Sequence, residues 1–179
     1  MKSSFSDSGL DIVIAAIETL QQGEQLLATM SDEAYTQKLP LAFNASIGGH
    51  YRHCLDHFRA VLDSAVAGEL NYDHRERGTL IETDRFAALN ATRELLEGFE
   101  CLEAGCLPLP LKITCKSCYA SDDSQTSSST LGREIMYAVA HAVHHYAVIA
   151  IMAGMMGHGL RGGFGVAPAT LKHHAKVAS

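Results

Sequence analysis

Ten of the 179 residues are histidines, and six of those fall in two tight groups. The first is His50-Tyr-Arg-His53-Cys-Leu-Asp-His57, the second His141-Ala-Val-His144-His145. Successive helical side chains turn by about 100°, so positions 50, 53 and 57 lie within about 60° of one another. Positions 141 and 145 share a face, and 144 is turned roughly 60° from 141. Neutral imidazole suits zinc, nickel, iron and copper. Two ligands four apart on one helix, with a third from a facing helix, make a three-nitrogen site with one position open to water or substrate. A bound ion would acidify that water or stabilise a thiolate in its place. The plainer reading makes each histidine a surface or hydrogen-bonded core residue. Two histidine-rich faces weigh against it, since an unpaired buried polar group costs about 1–3 kcal/mol.

Four other positions join the chemistry. Glu134 lies seven residues before His141 on the same face. It is either an acceptor that holds a ring nitrogen or a first-turn carboxylate favoured by the helix dipole. Tyr137, four before His141, is a candidate hydrogen-bond donor at the same mouth. Glu134 and Tyr137 are therefore the candidate catalytic residues. Arg75 and Arg77, beside Tyr72 and Asp73, are candidates for binding an anionic cofactor or substrate, since Arg grips a carboxylate with two parallel hydrogen bonds. The alternative is a solvated connector whose ion pairs contribute little.

These residues must be positioned by helices. Leu10, Val13, Ile17, Leu20 and Leu27 form an amphipathic stripe over 8–30. SDEAYTQKLP breaks it, with Pro40 opposing continuation. A second helix starts near Ser46, capped by Asn44 or Ser46, and ends near Gly68. ELNYDHRERGTLIE reads as polar and turn-like. Asp84 caps a third helix to about Leu102, stopped by Gly105 and Pro108. LPLKITCKSCYA reads as a short strand, and SDDSQTSSST as a turn with a return strand or a long loop. A fourth helix runs from Ser129 or Thr130 to about Met156, and the remainder is an irregular tail. The fold class is all-α, a four-helix bundle with a short β-hairpin or long loop between helices 3 and 4. The length suits one domain over 1–179.

Composition bounds the function. The chain is 47% hydrophobic, so it can build a core, and its formal charge of -6 argues against nucleic-acid binding. Five cysteines make an odd number without a disulfide pattern, which suits a reducing cytoplasm. Cys115-Lys-Ser-Cys118 lacks the second pair of a structural zinc site and reads as two small strand residues. Residues Ile135–Leu160 contain no Asp, Glu, Lys or Arg and are long enough to span a membrane. Four histidines within them favour a buried bundle helix instead. Its Met152, Met155 and Met156 offer either a homodimer interface or ordinary core filling.

Ser46-Ile-Gly-Gly-His-Tyr-Arg-His53 and His141-Ala-Val-His144-His145 resemble the second-helix and HxxxH motifs of the DinB/YfiT-like proteins. So do Asn71–Arg77, Ile81-Glu82-Thr83-Asp84 and Gly163–Pro168 in a subgroup of them. Ala45 departs from the pattern, where many members have Trp. The resemblance implies an up-down-down-up bundle and a divalent metal, nickel or zinc, on His53, His141 and His145. His50, His57 and His144 remain alternates. It further implies a low-molecular-weight thiol and a small electrophilic substrate, as in bacillithiol-dependent S-transferases and mycothiol-dependent maleylpyruvate isomerases. The expected function is thus a thiol-dependent S-transferase or hydrolase. The alternatives are a non-catalytic metal-binding stress-response bundle and a metal-free structural bundle whose histidines respond to pH.

Overall fold

The computed structural model describes residues 5–74 and 78–177, with side chains from residue 10 onward. Four long helices carry the architecture: α1 (Phe5–Thr29), α3 (Ile47–Ala67), α4 (Arg85–Glu100) and α5 (Leu131–Met155). Two shorter helices, α2 (Asp32–Thr36) and α6 (Pro168–Val177), follow α1 and close the described chain. The caps are local and readable. Ser46 accepts the Gly49 N–H at 3.0 Å, and Asp84 accepts those of Phe86 and Ala87 at 2.8 and 3.1 Å. Gly68 ends α3 at φ 72°, a left-handed conformation that glycine adopts without strain.

The all-α expectation holds in part: the described chain is mostly helical, but its sheet goes beyond the hairpin or long loop expected between helices 3 and 4. Strands β1 (Glu69–Asn71), β2 (Pro110–Cys115) and β3 (Gln125–Thr130) form a mixed sheet in the order β1-β2-β3. β2 and β3 are the antiparallel hairpin the sequence suggests, with Ile113 opposite Ser127. β1 adds in parallel, Leu70 opposite Ile113. It falls in the stretch read as turn-like, because three residues leave no alternation to detect. The helices α2 and α6 likewise replace an expected break and an irregular tail.

α1 packs on α4 and α5, and α3 packs on the same two helices, so α3 and α5 lie side by side. The core contains Tyr35, Tyr51, Phe58, Phe99, Ile135 and Tyr146, all buried. Tyr51 and Tyr146 stack at 6.2 Å and 6°, and the Tyr51 hydroxyl shares a 2.8 Å hydrogen bond with Thr92. Gly23 lets α1 approach them, since a Cβ there would collide with both tyrosine hydroxyls. α5 is long and apolar enough to cross a membrane by length and composition. Here Ala138, Ala142, Tyr146 and Ile149 bury one of its faces in the bundle.

Beside α3, Tyr35 donates its hydroxyl to the Ile81 carbonyl at 2.6 Å, and Arg52 pairs with Asp56 and Glu82 at 2.5 and 3.2 Å. Arg52 through Glu82 ties the segment before α4 to the histidine-bearing helix, and Tyr35 through Ile81 ties the same segment to α2.

Candidate metal centre

Because α3 and α5 are neighbours, their histidine faces meet. His53, His141 and His145 each offer a ring nitrogen, and the three lie within 4.8 Å of one another. The Nε2 atoms of His53 and His141 are 2.9 Å apart. Metal–nitrogen bonds of about 2.0–2.1 Å in a tetrahedral site put ligand nitrogens about 3.3 Å apart. One edge of such a polyhedron is therefore nearly formed, and the His145 ring has only to draw in. Chemically the donor set fits a borderline divalent ion.

The flanking histidines have distinct places. His50 Nδ1 lies 2.9 Å from His145 Nδ1, which fixes that ring and leaves its Nε2 for the cluster. His57 is buried, its ring tilted against that of His141 at 4.1 Å and edge-on to His53 at 4.7 Å. His144 is exposed, edge-on to His145 at 5.4 Å and outside the triplet. From α3, the triplet thus takes His53.

Burial lowers the pKa of His145 to about 4, with further lowering from His141, His50 and His144. Burial, then His144, also lowers that of His50. Both rings are held neutral, the form that ligates a metal. A linkage effect follows for metal-free protein. Unfolded histidine titrates near 6.5 and so takes up a proton below that pH, while folded His145 resists it down to about 4. The stability held above pH 6.5 is lost as pH falls through this window. Thermal melts in EDTA are expected to show Tm falling between pH 6.5 and 4, with a smaller fall in His145→Gln. Equal falls in the two proteins would remove His145 as the cause.

Glu134 is buried, and its oxygens are taken by the hydroxyls of Tyr72 (2.6 Å) and Ser129 (2.5 Å) and by Arg133 (2.8 Å). It therefore meets the cluster through Tyr72, whose ring stacks on His57 at 4.8 Å. Burial, then the Glu134 hydrogen bond, raises the Tyr72 pKa, so its proton stays in place. Tyr137 is partly exposed beside the cluster, its ring stacked 5.8 Å from His141 and tilted at 5.3 Å from Tyr72. Asp73 accepts the Lys116 N–H at 2.6 Å, a loop contact and not an anion grip. Arg75 and Arg77 lie outside the described residues.

The place of Tyr72 was missed by sequence reasoning. No local signal could have placed it: Leu70 is buried between exposed Glu69 and Asn71, and the strand sends Tyr72 to the same side as Leu70, but that strand exists only by pairing with β2. Cys115 and Cys118 are free thiols, one closing β2 and the other exposed after it.

The chain is 36% identical over 114 residues to FK506-binding protein 5 of Rhizopus delemar, covering 63% of this chain and 29% of that protein. No family model matches, and no solved structure does. The chain thus spans less than a third of the length of the curated relative it matches. This likeness corrects the DinB-like reading: the relative is named an FK506-binding protein and not a DinB-like one. The reading as a metal-dependent, thiol-using transferase or hydrolase falls with it, and the likeness gives the stress-response and metal-free alternatives no better support. The physical reason lies in the size of the motifs. Imidazoles at helical spacing record only that two helix faces meet, and one fold or site serves many functions.

Proposed function

We propose that this chain is a helical module serving prolyl-isomerase or chaperone-like work on polypeptides, the direction in which its relative's name points. The observation that carries the reading is the likeness over 114 residues to FK506-binding protein 5. That relative is more than three times as long as the shared stretch, so the module's part in such work is itself the proposal. Uncatalysed X-Pro isomerisation takes tens to hundreds of seconds, and the waiting chains expose apolar surface that aggregates. A module that speeds the step or shields the surface has a measurable effect.

The test is the refolding of a denatured client whose slow phase is prolyl isomerisation. An equimolar amount of this chain is expected to quicken that phase several-fold or to halve the light scattering from aggregation. If neither changes, and isothermal titration finds no FK506 binding, the reading is wrong.

Within this reading, His53, His141 and His145 hold one divalent ion as a clamp between α3 and α5. The closeness of their ring nitrogens supports that assignment. When bound, such an ion polarises whatever occupies its open position. The chain's own residues orient the ligands: His50 through His145 Nδ1, and His57 by ring contact with His141.

A further inference from the structure

A groove of about 780 Å³ lies away from the histidines, between α1 and the segment that follows α5. Its floor is apolar, with Leu26, Leu160 and Phe164 the less exposed lining residues and the exposed Leu171 beside them. Its α1 wall runs from Glu18 to Thr29, about 16 Å of helix. That matches about five residues of extended chain.

The opposite wall is anchored. Phe164 stacks on buried Tyr146 at 4.8 Å and 14°. Gly165, at φ 70°, presses so close to α5 that a Cβ would lie 2.5 Å from the Ala147 nitrogen. Arg161 donates to the Gln25 side chain at 2.9 Å and bridges the two walls.

The rim is built from neutral amides. Gln21, Gln22 and Gln25 stand along α1, and each amide both donates and accepts, as a peptide group does. The charges lining the groove are Glu18 and Arg161, and Arg161 is already engaged by Gln25. The groove therefore has no net sign with which to hold an ion, and its charge complements an uncharged occupant. An apolar floor beneath a hydrogen-bonding rim suits a chain that sends alternate side chains down and keeps its backbone at the edge.

We infer that this groove binds an extended, uncharged polypeptide segment, its apolar side chains on the Leu26–Phe164 floor and its backbone amides on Gln21, Gln22 and Gln25. The inference rests on the polypeptide-directed reading above and gives that work its binding surface.

The probe is a fluorescein-labelled decapeptide of alternating Leu and Thr, titrated with the whole chain and followed by anisotropy. Binding is expected, with at least a tenfold loss for Leu160→Asp and a loss of a few-fold for Gln21→Ala. Val66→Ser, exposed on α3 and outside the groove lining, is expected to bind as the parent does. A decapeptide of alternating Lys and Leu is expected to bind at least tenfold more weakly. Leu160 lies in a half-exposed, non-helical segment, and Leu160→Ser is a second variant should Leu160→Asp lose its circular dichroism. The inference is overturned if the neutral peptide does not bind, if groove variants bind it unchanged, or if the charged peptide binds equally well. It is also overturned if FK506 or a second copy of the chain fills the groove in the peptide's place. The two readings fail separately. Peptide binding without an effect on refolding removes the proposed function alone, and a refolding effect that survives Leu160→Asp removes the groove alone.

Discussion

Adding zinc or nickel to the EDTA-stripped chain is expected to raise its Tm by about 5–10 °C, and His141→Ala is expected to remove nearly all of that gain. A ligand that binds only the folded state stabilises it by about 2.7 kcal/mol at one hundred times its Kd. For a chain of this size each kcal/mol moves Tm by about 2–4 °C. The gain depends on His141 because its Nε2 already faces that of His53 at 2.9 Å, and without it no ring nitrogen from its turn of α5 closes that edge. His144→Ala is the control, being exposed and outside the triplet. His50→Ala is expected to fall between, since it frees the His145 ring without removing a ligand. Differential scanning calorimetry with and without metal decides the matter. An unchanged Tm at saturating metal, or a full gain in His141→Ala, would show that the rings meet only as hydrogen-bonded partners.

Much of what places those rings was legible in local sequence. Ser46 and Gly68 bracket α3 as a short-range cap and a left-handed stop, and neither depends on the rest of the fold. The helical spacing in 50–57 and 141–145 needed only that α3 and α5 be neighbours. The sheet was another matter. Glu69–Asn71 becomes a strand because Lys112–Thr114 lies beside it, some forty residues away, and a three-residue edge carries no periodic signal of its own. β3 is a run of Gln, Thr and Ser without hydrophobic alternation, and its pairing with β2 decides its shape. Tyr72 was obscure for the same reason: its aim depends on a strand that only tertiary pairing creates. The groove wall around Phe164 and Gly165 was hidden because its order comes from Tyr146 and the α5 backbone, not from its own glycine-rich composition. The likeness to an FK506-binding protein was the least legible, since a few imidazoles at helical spacing say less than a likeness extended over 114 residues.

Glu134 is where the sheet, α5 and the histidine cluster are joined, so its removal is expected to affect all three. Its side chain is 1% exposed and receives Tyr72 from the end of β1, Ser129 from β3 and Arg133 from its own helix. Glu134→Ala takes away the acceptor and leaves the half-buried hydroxyls of Tyr72 and Ser129 without that partner. Each such loss costs about 1–3 kcal/mol, so the variant is expected to be less stable by about 2–4 kcal/mol in urea unfolding. Arg133 adds little to this figure, because its side chain is 63% exposed and water replaces the bond. The cluster should sense the change through Tyr72, which stacks on His57, whose ring in turn lies tilted against His141 at 4.1 Å. Zinc affinity is therefore expected to fall by about tenfold, at the lower end of what orienting partners contribute. Tyr72→Phe separates the two effects: it removes the hydroxyl, keeps the ring on His57, and should lose about 1 kcal/mol of stability with zinc affinity unchanged. Glu134→Gln keeps an acceptor for Tyr72 and should lie between Glu134→Ala and the parent. If Glu134→Ala unfolds at the parent's urea midpoint, the carboxylate is not what holds β1 and β3 to α5. If instead Tyr72→Phe weakens zinc as much as Glu134→Ala does, the hydroxyl and not the stacked ring transmits the effect.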